Sequence, residues 1–128
     1  MLSDLQILKN IRYEEIDDKT DEILAYGFIY ELIRFKMRLE DQANYTGLLV
    51  MRDCITYPYV MGTAEVGEYY NITSALEMLS FCGTACHYKQ LVTNSGWVLK
   101  NQVKACETIA EVDLIIDDRP LEYVEEEE

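Results

Sequence analysis

The hydrophobic period of the chain changes between residues 33 and 40, and that change limits the folds open to it. In IRFKMRLE, Ile33, Phe35, Met37 and Leu39 alternate with Arg34, Lys36, Arg38 and Glu40. On a helix these apolar residues would scatter around the wheel, whereas on a strand they form one face. The segments on either side carry helical signals, so the expected class is α+β. Ser3 followed three residues later by Gln6 is a capping box for a short first helix over roughly residues 3–11. RYEEIDD then reads as a turn, and Thr20 or Asp18 caps a second helix carrying Ile23, Leu24 and Tyr26. LLVMRDCITYPYV is rich in β-forming residues, which predicts a hairpin of about 32–40 with 47–56. TAEVGEYYNI adds a third short strand.

Farther along, SALE at 74–77 is a second capping box. It opens a helix whose stripe includes Leu76, Leu79, Cys82 and Cys86. TNSG at 93–96 has the composition of a helix stop, WVLKNQVKACETIAE repeats apolar residues at helical spacing, and VDLII reads as a closing strand. The expected architecture is one small α+β domain over residues 1–118, its helices packed on a short antiparallel sheet. An acidic C-terminal tail over 119–128 follows.

A chain of 128 residues is long enough for one modest core. Its 49% hydrophobic content excludes a disordered chain. The start, MLSDLQILKN, lacks the pattern of a secretory signal, and no apolar run reaches membrane-spanning length. The expectation is a cytoplasmic protein whose four cysteines, Cys54, Cys82, Cys86 and Cys106, are reduced and used as small hydrophobes.

The net charge is −13 and its distribution is uneven. Residues 1–42 hold ten acids against six bases, residues 43–110 five against four, and residues 111–128 nine against one. Within the first block, six carboxylates and a single lysine occupy Glu14 to Glu22. Direct binding of nucleic acid, which needs clustered Lys and Arg, is disfavoured, and an anionic membrane would repel the chain. The complementary partner is a basic protein surface.

Few residues point to chemistry. Cys82 and Cys86 lie one helical turn apart and His87 follows, so these three are the candidates for a metal. Against that, the paired C-x-x-C knuckle is absent and free cysteines usually fill cores, so the expectation is no metal and no cofactor. Neighbouring Cys86 and His87 diverge on a helix, which argues against a nucleophile–base pair. The acids of EEIDDKTDE lack the alternating ligands and central glycine of a calcium loop. Arg34, Lys36 and Arg38 form the one basic row, read as protection of a sheet edge. No catalytic role is expected for any residue.

Leu8, Lys9, Asn10, Ile11, Arg12 and Tyr13, then Glu14, Glu15 and Ile16, then Asp18, Thr20, Asp21 and Glu22, resemble the beginning of the Ocr family of phage antirestriction proteins. The end, EYVEEEE, is similar in kind. The resemblance implies surface carboxylates that stand in for DNA phosphates in the groove of a restriction enzyme. It covers residues 8–22 of the chain. The near-neutral middle departs from the family's acidic, mainly helical pattern, so its fold does not carry over.

The expected function is that of an acidic, non-enzymatic inhibitor. It would be phage-encoded and act against host defence, as an anti-restriction or anti-CRISPR protein. Glu14, Glu15, Asp17, Asp18, Asp21 and Glu22 would face the basic nucleic-acid-binding surface of a host nuclease, with Tyr13 as an exposed aromatic contact. Two alternatives stand beside it. One is a structural or adaptor subunit, a homodimer, larger homo-oligomer or virion component, using the apolar and tyrosine-rich surface. The other is a small metal protein built on Cys82, Cys86 and His87.

Overall fold

The computed structural model describes residues 1–123. In chain order it contains α1 (Asp4–Tyr26), β1 (Phe28–Tyr30), β2 (Ile33–Phe35), α2 (Leu39–Val50), β3 (Tyr59–Gly62), β4 (Tyr69–Ile72), α3 (Ala75–Ala105) and α4 (Ile109–Asp113). The class is α+β, a small single domain of four helices and two antiparallel hairpins among the described residues. In one hairpin Phe28 pairs with Phe35 and Tyr30 with Ile33; in the other Tyr59 pairs with Ile72 and Gly62 with Tyr69. The Ala64 N–H donates to the Arg34 carbonyl at 2.9 Å, tying the second hairpin to β2.

The helices set the frame. Ser3 caps α1 by accepting from the Gln6 N–H at 3.1 Å, as the sequence predicts. The helix then continues for 23 residues, so the expected turn at RYEEIDD is absent. No Gly or Pro interrupts this stretch, and Ile16, Ile23 and Leu24 all turn inward to be buried. Gly27 ends α1 at a φ of 109°, where an added Cβ would run into the Phe35 carbonyl.

The predicted hairpin of 32–40 with 47–56 is corrected. Only Ile33–Phe35 is strand in the first segment, and its partner is β1. Residues 47–50 belong to α2 and a turn follows. The cause is a local cap. The Asp41 carboxylate accepts from the Arg38 N–H at 3.0 Å and from its Nε at 2.8 Å, which starts a helix where alternation suggested a strand. VDLII is likewise not a strand: Val112 lies in α4, capped by Thr108, and the chain then runs irregularly.

α3 is 31 residues long and passes straight through TNSG. Gly96 lies in its interior because α1 comes very close there. A Cβ at Gly96 would sit 2.8 Å from Thr20 Oγ1 and 3.4 Å from the Arg119 guanidinium.

Two apolar clusters result. In the larger, Phe81 is the hub, with its ring centroid 4.9 Å from that of Phe35, 5.2 Å from those of Tyr30 and Tyr45, and 5.4 Å from that of Phe28. These are tilted or edge-on contacts of the favoured kind. The smaller cluster joins Ile16, Val103, Cys106 and Val112 between α1, α3 and α4.

The expected boundary between domain and tail at residue 118 is also corrected. Arg119 is only 7% exposed. It donates to Asp117 Oδ2 at 2.7 Å, Ser95 Oγ at 3.0 Å, Thr20 Oγ1 at 3.0 Å and the Ile16 carbonyl at 3.1 Å. Tyr123 packs on the larger cluster. The globular body therefore includes Arg119 and Tyr123, and the rest of the expected tail, 124–128, lies outside the described residues.

Candidate acidic docking face

α1 is anchored along one side by Ile16, Thr20 and Ile23, which face α3 and the Arg119 guanidinium. A helix turns about 100° per residue, so Glu14, Glu15, Asp17, Asp18, Asp21 and Glu22 fall on the opposite arc, about 160° wide. All six are exposed. At about 1.5 Å of rise per residue they occupy about 12 Å of helix, or about 2 Å per carboxylate. B-form DNA carries one phosphate per about 1.7 Å of its axis, counting both strands.

Some of this charge is answered within the molecule. Arg12 pairs with Glu15 at 2.9 Å and reaches Asp113 of α4 at 3.5 Å. Lys100 of α3 pairs with Asp17, and its ammonium lies 4.7 Å from the centroid of the Trp97 ring. Among the described residues Glu14, Asp18, Asp21 and Glu22 make no ion pair. These four present free anionic charge on a rigid helix. Such an arrangement accepts charge-assisted hydrogen bonds from Arg and Lys side chains. A groove of about 350 Å³ separates α1 from residues 115–117 and is lined by Arg12, Asp18, Lys19, Glu22, Ile115 and Ile116, among others.

The structure does not bring every expected site residue together. Tyr13 is half-buried against the smaller cluster, so its role as an exposed contact is corrected. Cys82 is buried, its thiol donating to the Tyr45 carbonyl at 3.4 Å, and burial pushes its pKa up to about 11. Cys86 and His87 are exposed, and among the described residues no three of His, Cys, Asp or Glu gather as a metal site would require. Two members of the basic row, Arg34 and Arg38, are taken up locally. The Arg34 guanidinium stacks 4.2 Å over Tyr26 and donates to the Tyr26 carbonyl at 2.6 Å, while Arg38 holds Asp41 at the start of α2.

Sequence reasoning missed Trp97, Lys100, Asp113 and Arg119. Arg119 carried a legible signal as the sole base of an acidic terminal stretch. Trp97 carried another, as the only tryptophan, directly following a run of polar residues. No helix among the described residues is long and apolar enough to cross a membrane. Comparison of the chain with protein-family models, with curated proteins and with solved structures finds no match.

Proposed function

We propose that this protein is an acidic, non-enzymatic inhibitor that occupies the basic nucleic-acid-binding surface of a host nuclease, its carboxylates standing where phosphates would. The observation that carries the reading is the row of four unpaired carboxylates, Glu14, Asp18, Asp21 and Glu22, one per about 3 Å along the outer side of α1. The local resemblance of residues 8–22 to the Ocr family supports the same reading, and with it an anti-restriction or anti-CRISPR role for a phage-encoded, cytoplasmic protein. A net charge of −13 accelerates encounter with a basic partner and makes the complex sensitive to salt.

The test is affinity capture from a bacterial lysate at about 50 mM and about 500 mM salt, a range over which exposed charges become strongly screened. Wild-type protein retains a nucleic-acid-binding enzyme at low salt and releases it at high salt. A folded variant carrying Glu14→Gln, Asp18→Asn, Asp21→Asn and Glu22→Gln does not retain it. Equal retention by the variant overturns the proposal.

A further inference from the structure

The chain has one tryptophan, and it lies on the surface: Trp97 is 56% exposed. Its place follows from the helix contact beneath it. Gly96 lets α1 and α3 approach, and the next residue turns outward by about 100°. That puts Trp97 on the flank where α1 carries Asp17, and Lys100 joins the two by pairing with Asp17 while covering one face of the ring. The indole, the lysine and the acidic arc thus form one continuous surface.

We infer that Trp97 is the apolar anchor of this docking face, and that the partner it fits is a basic protein groove of the kind that stacks nucleobases, with aromatic side chains set among its cations. The inference rests on the function proposed above and narrows its target class. Charge complementarity selects the occupant. A second copy would bring one acidic arc against another, and phosphate-bearing partners are repelled. A flat ring beside a row of anions presents the two features a single nucleic-acid strand presents. Grooves that hold such strands supply the matching pair, cations for the backbone and aromatic planes for the bases. A channel that reads only duplex phosphates has cations for the carboxylates but no seat for a projecting indole.

Two synthetic peptides of equal charge test this, one alternating Lys with Phe and the other Lys with Ala. Binding is followed by anisotropy of a label on the peptide at low salt and by the emission of Trp97, the sole tryptophan. The Lys/Phe peptide binds about tenfold more tightly and shifts the emission to the blue. Trp97→Ala removes that preference and leaves Lys/Ala binding within about twofold; tenfold corresponds to about 1.4 kcal/mol. Equal binding of the two peptides to wild-type protein, or a preference that survives in Trp97→Ala, overturns the inference and leaves the proposed function standing. Failure of both peptides to bind, or unchanged binding to the variant neutralised at Glu14, Asp18, Asp21 and Glu22, overturns both. An emission shift produced by raising the protein's own concentration assigns the face to a second copy and overturns the inference.

Discussion

The Arg119 guanidinium donates to the main-chain carbonyl of Ile16 at 3.1 Å, joining positions 103 residues apart. Through the same guanidinium the C-terminal segment is bound to the Val92 carbonyl and Ser95 of α3 and to Thr20 of α1, with Asp117 balancing the charge. This cluster holds the inner side of the helix whose outer side bears the free carboxylates, so the rigidity of that acidic face depends on it.

Replacing Arg119 alone is therefore costly. Arg119→Met leaves the Asp117 carboxylate, only 11% exposed, without its partner, together with unsatisfied oxygens on both helices. Loss of one member of a buried pair typically costs about 3–5 kcal/mol. Urea denaturation should show a fall of that size, and amide exchange should rise in α1 and residues 115–118. A change below about 1 kcal/mol would mean that Arg119 does not hold the helices together.

Two glycines in α3 should respond oppositely to the same substitution. At Gly83 nothing lies within 4 Å of an added Cβ, so Gly83→Ala should stabilise by up to about 1 kcal/mol through helix propensity. At Gly96 the methyl meets Thr20 Oγ1 at 2.8 Å, and that hydroxyl is held by Arg119. Gly96→Ala should destabilise by about 1–3 kcal/mol despite the same gain in propensity. Thermal melts of both variants check the sign, and equal shifts would refute close packing at Gly96.

Gly96 also shows where the sequence misleads. A glycine after Asn and Ser reads as a helix stop, and only the approach of α1 from a distant part of the chain makes it a packing site. The caps at Ser3 and Ser74 were legible because they are local hydrogen bonds over three residues. The alternation at Ile33, Phe35 and Met37 was legible in part: it located β2, but Asp41 capping Arg38 decided where the strand gave way to α2. The acidic arc was visible as composition, whereas its breadth required the continuity of α1. Arg119 and Trp97 stand out in composition, but the long-range contacts that give each its place are not written in periodicity or composition.

The β1–β2 turn stores local strain. Glu31 and Leu32 have φ values of 51° and 64°, in the left-handed region, and Leu32 is 96% exposed. A two-residue hairpin turn of this hand favours Asn-Gly, and a left-handed conformation costs an ordinary residue about 1–2 kcal/mol. Leu32→Gly should raise stability by about 1 kcal/mol, seen as a melting temperature roughly 3 °C higher. No gain would show that the turn relaxes at little cost.

Stability should also fall in acid through Glu77. Its carboxylate accepts from the Thr73 N–H at 2.7 Å, the Thr73 hydroxyl at 3.1 Å and the Tyr70 hydroxyl at 2.8 Å, and the Thr73 N–H is the main cause of a pKa below the ordinary carboxylate value. With the folded pKa depressed, the unfolded chain binds more protons at Glu77 as pH falls. The contribution is thus fully present above the ordinary carboxylate pKa and is lost as pH drops through the depressed one. The half-exposed site suggests about 1 kcal/mol. Denaturation of wild type and Glu77→Gln from pH 7 to pH 3 should show a gap that is constant near neutrality and closes in acid. A gap that widens in acid would refute the assignment.

The acids of α1 should weaken the fold they stand on. Asp18 lies four residues from both Glu14 and Glu22 and three from both Glu15 and Asp21, so four like charges surround it on the helix surface. Each such i,i+4 pair costs about 0.2–0.5 kcal/mol, and among the described residues no base pairs with Asp18. Asp18→Asn should therefore stabilise the protein by roughly 0.5–1 kcal/mol at low salt, and the gain should shrink in about 1 M salt, where charges are screened within a few ångströms. If Asp18 served only the fold, replacing it would do harm. A charge that costs stability yet faces solvent on a rigid helix is what a docking surface requires. Destabilisation by Asp18→Asn, measured in urea at both salt concentrations, would place Asp18 among the structural residues and remove it from the proposed docking face.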